Sequence, residues 1–577
     1  MSAIKIFYQY SVIMHRMMKL KCNTFFVPAE AVFPLFILLF VFMQACDEPA
    51  PKKQEIVQTP QELKVRISEQ IATSISYAAD RNGKIDDSIR LVLFPEVTAC
   101  YESIRNKPVW SILEQWTPSA DSLFGFIEQS EQYGLFPSAY HLRHLRSLRN
   151  KLTDSAARLD AVLWAKGDLM MTDAFVLMLK HLKQGRLPKD SITLSPDTVL
   201  QKEYFTGQLK EIIAGRDPRS VLESAEPQLQ VYKDLRLAVR SFLDSMDRTP
   251  YTYVVYPNKD SLLFLKQLQS RLFESSYITF NTRPADTTEL TEAIKKAQAE
   301  LKLKVDGKAG PSLIKALNNT DDIKFRRIAL NLDRYKMLPD TLPASYVWVN
   351  LPAYKMQVWD SGFVVLESKV IIGQPKTRTP VLNSEISNFV TYPQWTVPFS
   401  IIIKEMLPQI QKNIEYLKKE NLMVVDKYDS VIDPATVTWA KLSKTYFPYT
   451  LKQRQGDDNS LGVLKFNFRN KYSVYLHDTN ARWLFAKSSR ALSHGCVRVK
   501  DWDSLARYLI RNDTLRIKAD TVKAWLKRQE KHVVSLGQKV PIYIRYITCE
   551  AKEGKMVFFD DIYSEDKVLI EKYFMGG

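Results

Sequence analysis

Residues 345–373 read SYVWVNLPAYKMQVWDSGFVVLESKVIIG. Val347 and Val349 alternate in YVWVN, Met356 and Val358 alternate in KMQVW, and VLESKVIIG follows, so the stretch reads as successive β-strands. VLKFNF (463–468) and SVYLHD (473–478) have the same character. The chain before Pro343 has a different period. In DLMMTDAFVLMLKHLKQG (168–185), Leu169, Phe175 and Leu179 recur near 3.6 residues and Gly185 suits a C-cap. Thr287, Glu289 and Leu290 open a second helical stretch, EAIKKAQAELKL. After the turn Asp306–Lys308, Pro311 suits the first position of a helix over SLIKALN. The expected fold class is α+β and multidomain, with helical units first and a mainly β domain last.

The 577 residues leave room for three or four domains. The boundaries predicted are a signal at 1–45, a polar, proline-rich linker at 46–61, helical units at 62–255 and 256–340, and a β domain at 341–577. Its charged stretch 408–460 is long for a connection inside a sheet and reads as an inserted capping lobe. With 45% hydrophobic and 25% charged residues, whole-chain disorder and a multi-span membrane protein are disfavoured. Five cysteines exclude a disulfide-dense scaffold and a Cys-rich zinc array.

Phe33–Met43, FPLFILLFVFM, is too short to span a bilayer, which takes about 20 residues, but suits the core of a signal peptide behind Arg16, Lys19 and Lys21. The run ends at Ala45-Cys46, which resembles a lipoprotein signal with Cys46 as the lipid attachment site. Export is the expectation. The net charge of +17 loses four basic groups (Lys5, Arg16, Lys19, Lys21) and one acid (Glu30) with residues 1–45, leaving about +14. Such a surplus favours a polyanionic neighbour, and export argues against nucleic acid.

Chemistry concentrates in Ser493-His494-Gly495-Cys496-Val497-Arg498. A thiol nucleophile must lose its proton, and at its ordinary pKa of about 8.5 it is mostly protonated at neutral pH. A Cys/His pair is therefore the minimum apparatus. Gly495 lets the backbone turn so that the amides of Gly495 and Cys496 face a developing oxyanion. The base is His494 or His477; neighbours in sequence rarely face each other on a strand, so His477 is the better candidate on geometry. His141, His144 and His181 form the other histidine group and read as solvated or capped side chains rather than a metal site.

The order of these segments resembles the L,D-transpeptidase family. His477 and the SHGCVR run resemble its catalytic signature. IIGQPKTRTPV (371–381), TYPQWTVPFSIIIKEMLP (391–408), IDPATVTW (432–439), GDDNSLGVLKFNF (456–468) and YSVYLHDTN (472–480) resemble segments of its large envelope members. KAGPSLIKALN (308–318) resembles the closing half of a peptidoglycan-binding helical domain, although Ala297 stands where an aromatic is usual. YGLFPSAYHL (133–142) and DAFVLMLKHLKQGRL (173–187) resemble the scaffold domain of the same subfamily.

The resemblance implies Cys496 as nucleophile and His477 as base, with the imidazole oriented through Asp478. It implies Ser493, His494 and Gly495 around the oxyanion hole, and Arg498, Tyr392, Trp395 and Tyr449 toward substrate. The implied reaction joins peptidoglycan stem peptides 3→3 through an acyl-thioester with release of D-alanine, and implies acylation of Cys496 by carbapenems. No cofactor or metal is implied. Stem peptides, the membrane through a lipid on Cys46, and other wall-synthesis proteins are the expected partners. Two readings stand beside it: an L,D-carboxypeptidase or endopeptidase that gives the same thioester to water, and a catalytically silent wall-binding lipoprotein.

Overall fold

The computed structural model describes residues 52–187 and 199–574; the apolar run at 33–43 and Cys46 lie outside the described residues. The amino-terminal helices gather around the helix Ala161–Gln184, which is buried on nearly all sides. Two acids inside that helix would be costly unpaired. Both instead cap incoming loops: Asp168 accepts from Tyr101 Oη and the Val109 and Trp110 amides, and Asp173 accepts from the Val92 and Leu93 amides and contacts His141 Nε2 at 2.7 Å. The helix ends at Gly185, at φ 80°, where the polypeptide turns away. Part of the expected linker belongs to this unit. From Glu55 the chain is docked, with the Glu55 amide on Asp160 Oδ1 (3.0 Å), the Val57 amide on the Leu159 carbonyl (2.9 Å), and a helix already begun at Pro60.

A smaller helical core holds Val254, Leu268, Leu272, Ile294 and Leu313. Asp286 and Glu289 form a reciprocal capping box on the helix Thr287–Glu300. Ala297 is fully buried there, and Gln298 clasps the next turn by accepting from the Asp306 and Gly307 amides. The helix Asp321–Lys336 follows directly, yet its apolar face contributes to another core, shared with the helix Gln230–Asp244 and the carboxyl-terminal segment. The compact unit therefore closes near residue 318 rather than 340.

Nine strands form the main sheet among the described residues: β1 (Ser345–Asn350), β2 (Lys355–Asp360), β3 (Phe363–Gly373), β4 (Leu382–Thr391), β5 (Leu464–Phe468), β6 (Leu476–His477), β7 (Ala491–Ser493), β8 (Val497–Val499) and β9 (Val533–Arg545). Their spatial order is β7-β3-β8-β6-β5-β4-β9-β1-β2. The long strand β3 pairs with β2 at its start and with β8 and β7 at its end, so the order closes on itself. Closure leaves the short β7 as the outlying strand and removes long exposed edges. Val347, Val349, Met356, Val358, Phe466 and Ile544 fill the interior, as their alternation predicts.

Between β4 and β5 the chain makes a separate lobe with its own core, including Val397, Ile410, Val424, Trp439 and Leu451. Its four-stranded sheet runs from Trp395–Thr396 to Thr450–Gln453, so the lobe begins earlier than residue 408 and ends before 460. After β9, a β-hairpin and the helix Glu565–Tyr573 pack on the helix Asp321–Lys336. Arg334 Nη1 lies 2.7 Å from Asp566 Oδ1, and Asn331 and Thr548 exchange two hydrogen bonds (2.8 and 2.9 Å).

Candidate active site

Three adjacent strands build the site. Lys465 on β5 is opposite His477 on β6, and His477 is opposite Arg498 on β8. Paired residues share a face, so Lys465, His477 and Arg498 form one row across the sheet. Cys496 immediately precedes β8, and its thiol meets Tyr475, two residues before His477, and feels the Lys465 and Arg498 charges. The Val497 amide, bonded to the Tyr475 carbonyl at 3.1 Å, fixes where β8 begins.

Cys496 is half-buried; the other described cysteines, Cys100 and Cys549, are buried. Burial pushes the Cys496 thiol up, while the Tyr475 amide and hydroxyl, Lys465 and Arg498 pull it back. Burial pushes both Cys100 and Cys549 up to about 12. His477 is buried, and desolvation followed by the Arg498 charge lowers its pKa to about 3; the backbone carbonyls of Asp478 and Leu461 oppose this. Its Nδ1 is buried without a hydrogen bond. Both shifts favour the uncharged forms, a neutral imidazole and a protonated thiol.

Ser493 is a structural clasp: its Oγ donates to the Cys496 carbonyl (2.6 Å) and accepts from the Gly495 amide (3.1 Å). The Gly495 amide is thus engaged, and the Cys496 amide remains as the donor of this turn for an oxyanion, where the sequence suggests both. His494 points to the lobe, with Nε2 at 2.7 Å from Glu405 Oε1. The Asp478 carboxylate lies away from the imidazole, accepting from the Val463 amide (3.1 Å) and from Arg482 Nη2 (2.6 Å).

The expected substrate-facing residues divide. Arg498 approaches Thr479 Oγ1 at 3.4 Å and has a buried, unpartnered Nε. Trp395 packs on the lobe core and hydrogen-bonds Tyr475. Tyr449 also belongs to the lobe, edge-on to Phe447 at 6.2 Å. Tyr392 is buried and its hydroxyl donates to Asp457 (2.8 Å), which makes it a support rather than a lining residue.

Sequence reasoning missed Tyr475, Lys465 and Glu405. Tyr475 touches Cys496, stands edge-on to His477 (5.6 Å) and carries Lys465 Nζ over its ring at 4.0 Å. Its signal was the i, i+2 spacing from His477; that of Lys465 was a lone cation in the apolar strand VLKFNF. Glu405 had none, because its partner lies 89 residues away. Of the other histidines, His141 meets Asp173 and His181 Nδ1 meets Tyr140 Oη at 2.8 Å, both inside the amino-terminal core.

Residues 344–522 match the L,D-transpeptidase catalytic domain and residues 95–238 match the scaffold domain. The chain carries an L,D-transpeptidase catalytic domain. A Haemophilus influenzae protein named "Putative L,D-transpeptidase" is 35% identical over 243 residues, covering 42% of this chain and 48% of that protein. The chain thus spans about half the length of that curated relative. Two solved structures overlap 35% of this chain: the Ldtfm–avibactam carbamoyl enzyme (12% identity, 49% of that chain, TM-score 0.17) and Mycobacterium tuberculosis L,D-transpeptidase 1 (13% identity, 61% of that chain, TM-score 0.13). Cys496, His477, Lys465 and Arg498 all fall inside the matched catalytic domain, whereas β9 and the carboxyl-terminal segment lie beyond it.

Proposed function

We propose that the protein is a peptidoglycan L,D-transpeptidase that forms 3→3 cross-links. The observation that carries this reading is the half-buried Cys496 thiol just before β8, meeting Tyr475 two residues before His477 and within reach of the Lys465 and Arg498 charges. Cys496 Sγ attacks the carbonyl carbon of the third, L-configured residue of a donor tetrapeptide as the thiol proton passes to His477. The new oxyanion faces the Cys496 amide. Collapse of the tetrahedral adduct breaks the peptide bond, and the imidazolium returns its proton to the leaving amine of D-alanine. The side-chain amine of a third residue on a second stem then attacks the thioester, loses a proton to His477, and releases the Cys496 thiolate, which takes that proton back.

Arg498 suits a substrate carboxylate, because its partly buried guanidinium has an unpartnered Nε. Trp395, hydrogen-bonded to Tyr475, and His494, hydrogen-bonded to Glu405, link the lobe to the site, where restricted water access favours the amine. The substrate puts the working site on the wall-facing side of the envelope. Among the described residues no helix is long and apolar enough to cross a membrane, and Cys46 is the proposed lipid attachment point.

Incubation of the purified protein with tetrapeptide muropeptides, with products identified by mass, tests the reading. A cross-linked dimer is expected. Tripeptide alone indicates transfer to water, and no turnover sinks both enzymatic readings.

A further inference from the structure

The loop after β3 holds the nucleophile turn at two carbonyls: the Gln374 amide (2.9 Å) and Thr377 Oγ1 (3.1 Å) donate to that of Ser493, and Thr379 reaches that of Gly495. Thr379 Oγ1 accepts from the Gly373 amide (2.9 Å) and donates to the Gly495 carbonyl (2.8 Å). Tyr563, from the carboxyl-terminal segment, clasps the same loop from the other side. Its hydroxyl donates to the Gly373 carbonyl (2.8 Å) and accepts from the Thr379 amide (3.1 Å). Thr379 and Tyr563 are each 2% exposed. The loop is wound too tightly for a side chain at Gly373, where a Cβ would fall 2.2 Å from the Thr377 carbonyl oxygen. Tyr563 is itself fixed: its amide donates to Tyr546 Oη (2.8 Å) and the two rings stack at 5.4 Å.

The Gly495 carbonyl and the Cys496 amide belong to one peptide unit. In a trans peptide these two groups point in opposite directions, and the unit rotates as a plate. A carbonyl held on Thr379 therefore turns the Cys496 N–H to the opposite side. Gly495, at φ +118°, has the rotational freedom that makes such a hold necessary. Because the Gly495 amide is engaged by Ser493, the orientation of this single plate decides whether the turn offers a donor.

We propose that Tyr563 and Thr379 are positioning residues for acyl transfer: Tyr563 sets Thr379, and Thr379 sets the Gly495–Cys496 peptide so that its N–H faces the developing oxyanion. This rests on the acyl-transfer reading above and extends the working site beyond residues 344–522. Neither side chain touches substrate; both act through the backbone of the nucleophile.

Full-length Tyr563→Phe and Thr379→Val, compared with wild type and Thr379→Ser, test it. Three rates are read at Cys496: acylation by a carbapenem, which forms an oxyanion; alkylation by iodoacetamide, which does not; and amide hydrogen exchange across 494–497. Acylation is expected to fall about 10- to 100-fold in the Tyr563→Phe and Thr379→Val proteins, the scale of a misplaced donor, while alkylation stays within about 2-fold. Exchange across 494–497 is expected to rise about 10-fold as the hold is lost. Thr379→Ser, which keeps the hydroxyl, recovers most of the acylation rate. Unchanged acylation, or alkylation that falls in step with it, overturns the proposal. Exchange unchanged in both variants overturns it as well, whatever the wild type does with substrate. A wild type that neither carbapenem nor tetrapeptide acylates removes the acyl-transfer reading instead, so the two failures are separable.

Discussion

His494 Nε2 lies 2.7 Å from Glu405 Oε1, and this contact ties the loop of the proposed nucleophile to the inserted lobe. Both side chains are partly exposed, so the pair contributes on the order of 0–1 kcal/mol to stability. Its consequence is geometric. Glu405→Ala is expected to leave the melting temperature nearly unchanged and to loosen the lobe over the acyl-enzyme. The ratio of cross-linked dimer to tripeptide product should fall several-fold as water gains access. An unchanged ratio would show that the contact does not hold the lobe closed.

Cys496 should be the thiol that reagents find among the described cysteines. Cys100 and Cys549 are buried, with thiols held up at about 12, so iodoacetamide at neutral pH should label Cys496 and spare both. Peptide mapping checks this; an adduct on Cys100 or Cys549 in the folded protein contradicts it. The Cys496 rate should keep rising with pH through the ordinary thiol range, because burial raises that thiol too.

His477 gives a stability signature with a definite sign. Its folded pKa is lowered to about 3 from an unfolded value of 6.5, chiefly by burial. Above pH 6.5 both states are neutral and the group contributes nothing to the pH dependence. Between 6.5 and 3 the unfolded chain binds the proton more readily, so stability falls as pH falls, by at most about 1.4 kcal/mol per pH unit from this one group. His477→Asn should flatten that part of a stability–pH curve measured by denaturant unfolding. An unaltered slope would place the acid sensitivity elsewhere.

Much of this arrangement was legible in the sequence, and the divisions have physical causes. Strand alternation in YVWVN and KMQVW and helix ends at Gly185 and Pro311 are local signals, and each appears in the structure. Cys496 and His477 stood out because their chemistry is rare in strands. Tyr475 and Lys465 did not, since an aromatic and a lysine in strands are ordinary until the register places them beside a thiol. The roles of Glu405 and Tyr563 depend on contacts 89 and 190 residues distant, which no local pattern carries. The end of the compact helical unit near 318 was missed for a related reason. The helix Asp321–Lys336 has the period of its neighbours, and only tertiary packing assigns its apolar face to the carboxyl-terminal core.

Lys465 carries a prediction of its own. Its charge favours the Cys496 thiolate, and burial lowers its own pKa. Lys465→Met keeps the stem that lies over Tyr475 and removes the charge. Alkylation of Cys496 at pH 8 should slow about 3- to 10-fold, with the pH profile displaced upward. A profile that superimposes on wild type would exclude an electrostatic role.

Asp566 tests how the helical and β parts support each other. It is 2% exposed and meets Arg334 Nη1 at 2.7 Å and Arg327 Nε at 3.3 Å. Asp566→Ala leaves two guanidinium groups facing a gap, and loss of one partner of a buried pair costs about 3–5 kcal/mol. Denaturant unfolding should register that loss. A change below about 1 kcal/mol would mean that solvent already screens the cluster.

The position of β9 has a consequence for the order of events in biosynthesis. This strand, Val533–Arg545, lies between β4 and β1, and Tyr563 follows it by eighteen residues. A ribosome that has just finished Cys496 has made the thiol but neither the strand that closes the sheet between β4 and β1 nor the residue that braces the thiol's loop. Until β9 and Tyr563 have emerged, the thiol belongs to a sheet left open between β4 and β1, on a loop without its brace.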